Sequence, residues 1–191
     1  FRAALAEDIY EAAQSWLGDK RGGLAMTTVA ACAGFASISG SSVATAATMA
    51  KVSIPPMRRY NYNEGFAAGS VAAGGTMGIL IPPSAALIIY GILTEQSIGD
   101  LFIAGLIPGL VTVLLYIAVI WLVAKIWPHL APRAERGSWA VRWRTLSKIW
   151  AVLVLFLAII GGISFGIFTP TEGGGIGAIG ALLFAIARRR M

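Results

Sequence analysis

The chain has 191 residues, of which 57% are hydrophobic and 13% charged, and its mean hydropathy is +0.76; a water-soluble globule of this size needs far more surface charge, so composition excludes one and points to a membrane protein. Fifteen Lys and Arg against nine Asp and Glu give a formal charge of +6. The cations stand in short clusters between apolar runs, where topology and lipid headgroups account for them, and no basic surface is interleaved with aromatics as nucleic-acid binding requires.

Residues 1–20 open with FRAALAEDIYEAAQSWL, in which Phe1, Leu5, Ile9, Ala12 and Trp16 recur at helical spacing while Arg2, Glu7, Asp8 and Glu11 occupy other faces. The pattern predicts an amphipathic helix lying in the membrane interface, with a helix packed on a soluble partner as the competing reading. Next comes an apolar run over 23–54, preceded by Lys20 and Arg21 and followed by Lys51, Arg58 and Arg59. A single crossing would put basic clusters on both sides, and at about 1.5 Å per residue a continuous helix would reach about 48 Å, well past a hydrocarbon core of about 30 Å. Residues 21–54 are therefore expected to form a re-entrant helical hairpin with its tip near 37–45, inside GFASISGSSVATAATM. Cys32, the single cysteine, excludes an internal disulfide.

A broken transmembrane helix is expected over 65–93, interrupted at GGTMGILIPPS (74–84), and a second transmembrane helix over 99–126. Residues 127–148 read as a basic cytoplasmic loop, with Trp139 and Trp143 as interface anchors and His129 as a solvated loop residue. Further crossings are expected over 149–168 and 171–187. This all-α arrangement leaves 94–100 and 169–172 on the outside without a Lys or Arg, so that every basic residue is cytoplasmic, Arg58 and Arg59 included as topology anchors. Glu172 reads as an acid in the first turn of a helix capped by Thr171. The chain opens without an initiator Met or signal peptide and stops on ARRRM after an apolar run, and is expected to be a piece of something longer.

Non-helical backbone is tolerated at membrane depth only where it is buried in protein or lines a watery cavity. Two consecutive segments break the rule. Gly40 with Ser39, Ser41 and Ser42 loosens the first, and Gly74, Gly75, Gly78, Pro82 and Pro83 the second, where the prolines free carbonyls one turn earlier. Neutral hydroxyls and freed carbonyls suit a small hard cation such as Na⁺, and half-helix N-termini suit a carboxylate, so the two segments together would bind a cation beside an anion. Close helix packing by small residues is the alternative.

In RGGLAMTTVAACAGFASISGSSVATAATM (21–49), AAGGTMGILIPPSAALIIYGILTEQSIGDLFIAGLIPG (72–109) and GIFTPTEGGGIGA (166–178) the chain resembles the large membrane subunit of a tripartite ATP-independent periplasmic (TRAP) transporter, the DctM-like family. Divalent-anion/Na⁺ symporters share the serine tip but not GILIPPS…IYG followed by SIGDLFIAGLIPG. The resemblance implies one half of an elevator-type transporter in the bacterial inner membrane, holding roughly the first of two inverted repeats. It implies Na⁺-coupled uptake of an organic acid of the C4-dicarboxylate, sialic acid or keto/sugar acid class, with no cofactor beyond the coupling ion. The implied partners are a small DctQ-like membrane subunit and a periplasmic substrate-binding protein. It also implies a Na⁺ site at Ser39, Ser41, Ser42, Gly78, Ile81 and Pro83, bound mostly through backbone carbonyls, and substrate contacts at Ser41, Ser42, Thr45 and Thr76.

A channel or an accessory membrane scaffold with a structural hairpin is the alternative from another class. An enzyme is not expected. The apolar segments contain no paired carboxylates, histidine cluster or Ser/Lys dyad to carry acid-base or metal chemistry.

Overall fold

Apolar runs of this length satisfy their own peptide groups as helices, and in the computed structural model the described residues form helices and no strand. Described are residues 2–134, 139–169, 172, 175, 176, 179 and 180, so most of the crossing expected over 171–187 lies outside the described residues. The helices are α1 (Arg2–Leu17), α2 (Gly23–Ser39), α3 (Ser42–Arg59), α4 (Glu64–Gly75), α5 (Met77–Leu80), α6 (Ala85–Thr94), α7 (Ile98–Ile126) and α8 (Trp139–Ser164), with a 3-10 turn at Pro128–Leu130.

Polar side chains mark several starts. Asn63 accepts from the Phe66 amide at 3.1 Å to open α4, and Ser97 accepts from the Asp100 amide at 3.3 Å to open α7. The helix α2 is central, packed on α1, α3, α4, α5 and α7. Leu24, Met26, Val29 and Ala36 of α2 are buried with Met57, Ala67, Met77, Ile81, Val113 and Ile120 in one core. A second core joins Ala6, Ile9 and Tyr10 of α1 to Ala31, Cys32 and Phe35 of α2 and Met49 of α3. Of the apolar face read from the sequence of α1, Ile9 and Ala12 are thus buried within the protein, while Trp16 is 41% exposed.

Three connections meet at one end of the molecule. The Gly22 amide donates to the Ala131 carbonyl at 3.2 Å, the Asn63 amide to the Leu130 carbonyl at 3.0 Å, and the Leu24 amide to the Tyr62 hydroxyl at 3.2 Å. Burial pushes the Tyr62 phenol up to about 12. Both ends of the α2–α3 pair therefore lie at the end where α7 finishes, and its tip points the other way. At about 1.5 Å per residue, the 17 residues of α2 span about 26 Å and the 29 of α7 about 44 Å. The segment 64–94 and α7 are both long and apolar enough to cross a membrane.

The stretch expected as a loop over 127–148 is helical from Trp139. The reason is tertiary: Arg142 docks on the C-terminal end of α1. Its Nε donates to the Ser15 carbonyl at 2.8 Å, its Nη2 lies 3.6 Å from Asp19 Oδ2, and its guanidinium carbon lies over the Trp139 and Trp16 rings, 4.7 and 5.6 Å from their centroids. The two tryptophans meet edge to face at 6.3 Å, and the Ser15 and Thr145 hydroxyls are 3.0 Å apart.

Candidate functional site

Only Gly40 and Ser41 separate α2 from α3. Gly40 adopts φ 59° and ψ 12°, the left-handed region where a side chain is strained, and its amide closes α2 on the Ala36 carbonyl at 3.0 Å. Ser41 then caps α3, its hydroxyl accepting from the Ala44 amide at 3.4 Å. Facing the tip, α5 ends at Leu80, and Ile81 to Ser84 run non-helically through a cis Pro82–Pro83 peptide before α6 begins. Neither proline has an amide to donate, so the carbonyls of Gly78 and Ile79 lose their helical partners.

Tip and break touch through their main chains. The Gly40 carbonyl accepts from the Ala85 amide at 3.4 Å, and a Cβ on Gly40 would stand 2.9 Å from the Pro83 carbonyl oxygen. On the other flank a Cβ on Gly78 would stand 2.5 Å from the carbonyl carbon and oxygen of Ser41 and 2.6 Å from the Ser42 amide. Glycine is required there because no side chain fits between the two backbones.

The hydroxyls divide into two sets. Ser39 Oγ and Thr45 Oγ1 are 2.6 Å apart across the tip, with Ser39 Oγ also 3.4 Å from the Ser41 carbonyl, and Thr45 is fully buried. Ser42 is half-buried beside them. Ser84, the residue after the prolines, was not among the sequence candidates; it is fully buried, and its hydroxyl has no partner among the described residues. Such a group costs about 1–3 kcal/mol unless something binds it. Its Cα lies 3.7 Å from where a Gly40 Cβ would be, at the tip–break contact. The signal in the sequence was its place directly after two prolines in an apolar run.

Thus Ser39, Ser41, Ser42 and Thr45 lie on the tip, Gly78 and Pro83 in direct apposition to it, and Ile81 in the core below with its amide bonded to the Met77 carbonyl at 2.9 Å. Thr76 is directed elsewhere: it is exposed, donates to the Ala73 carbonyl at 2.7 Å and lies 3.5 Å from the Tyr116 hydroxyl on α7. The electrostatics are those of helix ends. The C-terminal ends of α2 and α5 present carbonyls, and the N-terminal ends of α3 and α6 present amides, around one point. No three His, Cys, Asp or Glu residues cluster among the described residues, so any cation here would be held by neutral oxygens.

Glu172 accepts from the amide and hydroxyl of Thr169 at 2.7 and 3.0 Å, and its own amide donates to the Thr169 hydroxyl at 3.3 Å. This is a reciprocal capping box with Thr169 as the cap; Thr171, the cap expected from the sequence, lies outside the described residues.

Residues 2–191 match the family model described as the tripartite ATP-independent periplasmic transporter, DctM component. The chain is 40% identical over 183 residues to the C4-dicarboxylate TRAP transporter large permease protein DctM of Pseudomonas aeruginosa, pairing 95% of this chain with 42% of that protein. It is 38% identical over 183 residues to the 2,3-diketo-L-gulonate TRAP transporter large permease protein YiaN of Escherichia coli, again 95% against 42%. With the C4-dicarboxylate TRAP transporter large permease protein DctM of Vibrio cholerae the identity is 36% over 191 residues, 95% against 40%. The chain spans about two-fifths of the length of these curated relatives.

Proposed function

The chain belongs to the DctM component family of tripartite ATP-independent periplasmic transporters, and from that premise we propose that it supplies half of the transport domain of a large permease, coupling Na⁺ to uptake of an organic acid. The acid is of the C4-dicarboxylate, sialic acid or keto/sugar acid class, each of which is named for one or more of its relatives. A periplasmic binding protein delivers it and a small DctQ-like subunit accompanies the permease in the inner membrane.

The observation that carries this reading is the contact between Gly40–Ser42 and Gly78–Ala85. The buried Ser84 hydroxyl lies there without a partner among the described residues, Pro82 and Pro83 leave the carbonyls of Gly78 and Ile79 without their helical donors, and α2 ends at the same contact. Such oxygens suit Na⁺, while the amide ends of α3 and α6 suit a carboxylate. Each charge improves the field for the other. By linkage, Na⁺ then raises substrate affinity by the same factor as substrate raises Na⁺ affinity. The hairpin is re-entrant: α2, at about 26 Å, is shorter than the hydrocarbon core, and both its entry and its exit carry basic residues, Lys20 and Arg21, then Arg58 and Arg59. Hairpin and broken helix move as one body in an elevator step, since their main chains are interlocked.

The test is the thermal stability of the complete permease in NaCl and in KCl at equal ionic strength. Na⁺ at about ten times its Kd stabilises by about 1.4 kcal/mol, and the Na⁺-specific rise shrinks in Ser39→Ala. Identical curves in the two salts for the wild type would sink the ion site and favour a purely structural hairpin.

A further inference from the structure

We propose that a basic pocket at the hairpin's open end, remote from the tip, binds the phosphate group of an anionic membrane lipid. The pocket is an open cleft of about 600 Å³ lined by Lys20, Arg21, Lys125, Arg133, Trp121 and Asp19. These residues come from three separate stretches, brought together by main-chain bonds. Gly22 donates to Ala131 at 3.2 Å and Asn63 to Leu130 at 3.0 Å, which folds the connector after α7 back onto the α1–α2 turn and sets Arg133 and Lys125 beside Lys20 and Arg21. A Cβ on Gly22 would stand 2.8 Å from the Ala124 side chain, so the end of α7 seats directly on that turn.

Charge and location define the ligand. Four cations line the cavity, and none of them is in an ion pair among the described residues. The acid in the lining, Asp19, is turned to Arg142 at 3.6 Å. Lys125 lies 5.0 Å over the Trp121 ring, which holds its ammonium at the rim. The pocket sits where a 29-residue apolar helix ends in exposed Trp121, Leu122, Ile126 and Trp127. Tryptophans and cations at a helix end mark headgroup depth. A ligand with an anionic head and an apolar tail meets both features at once: its phosphate among the four cations, its acyl chains along the exposed face of α7. A soluble anion would use only the first.

The experiment uses the complete permease, delipidated in detergent, and reads the melting shift on adding phosphatidylglycerol, phosphatidylcholine or inorganic phosphate. Phosphatidylglycerol raises the melting temperature and phosphatidylcholine does not. Lys125→Gln/Arg133→Gln weakens the apparent phosphatidylglycerol affinity about thirtyfold, from the attraction each cation near a surface exerts on anionic lipid. Arg58→Gln/Arg59→Gln, a basic pair outside the pocket, leaves that affinity unchanged. The charge-preserving Lys125→Arg/Arg133→Lys retains the response, which separates lost charge from lost folding. An equal shift with phosphatidylcholine would overturn the proposal, as would a full response in the Gln pair. Inorganic phosphate reproducing the shift would make the pocket a soluble-anion site. No lipid response in the wild type would mean that another protein segment fills it, and would equally overturn the proposal.

Discussion

A missing methyl group holds the candidate site together. At Gly78 an added Cβ meets the main chain of Ser41 and Ser42, which cannot swing aside as a flexible side chain would. Gly78→Ala is expected to cost about 1–3 kcal/mol and to abolish the Na⁺-specific melting shift, because it pushes tip and break apart. In Gly69→Ala, where an added Cβ meets nothing within 4 Å, the same change in a helix stabilises by about 0.5–1 kcal/mol. Parallel melting curves of the two variants check this, and equal effects would mean that the Gly78 contact is not tight. Both glycines were visible in the sequence. Which one is pinched was not, since that depends on a helix 36 positions away in number and adjacent only after folding. The TPTE stretch shows the opposite case. Its Thr-x-x-Glu spacing contains the capping box outright, and the cap falls on Thr169 because the reciprocal bond needs an acid three residues on.

Among the elements, α1 and α8 carry the least expected relation. Arg142 is the charged link between them: it satisfies a carbonyl at the end of α1, lies near Asp19 and sets its guanidinium over the Trp16 and Trp139 rings. Removing it is expected to loosen α1 from α8 by about 1.5–3 kcal/mol, the worth of a hydrogen bond to a charged group. Hydrogen exchange at the α1 amides then speeds up about tenfold to a hundredfold in Arg142→Ala. Arg142→Lys recovers little, because a point charge neither stacks on the rings nor donates in a planar fork. Unchanged exchange in the alanine variant would show that α1 is held by its apolar contacts alone. The sequence presents Arg142 as one cation among several in a polar, tryptophan-bearing stretch; nothing local tells a helix there from a loop. Periodicity exposed the amphipathic character of α1, yet it cannot say whether lipid or protein covers Ile9 and Ala12. Length was more informative for 64–94 and α7, where apolar runs and a Pro-Pro pair announce long helices and one break.

For the molecule as a whole, the arrangement of ends makes a prediction about sidedness. Lys20 precedes α2 and Asn61 follows α3 at the end where α7 finishes, whereas Gln96 lies in the turn between α6 and α7. In a complete permease freed of native thiols, single cysteines at 20 and 61 are expected to react with an impermeant maleimide from the cytoplasmic side, and one at 96 from the periplasmic side. Labelling of 20 and 61 from opposite sides would rule out a re-entrant hairpin. The tip also lies off centre. It meets the 64–94 segment at Pro83–Ala85, leaving only the ten residues of α6 beyond it, about 15 Å of helix. A Na⁺ ion arriving from that end would cross about a third of the transmembrane voltage before it bound. At about 2.3 kcal/mol per charge per 100 mV, loading at the proposed site would be voltage-sensitive by about 0.8 kcal/mol per 100 mV, roughly a fourfold change in ion affinity. If the proposed ion site is occupied, placing the break two-thirds of the way along one helix would give the membrane potential a hold on ion capture as well as on the transport step.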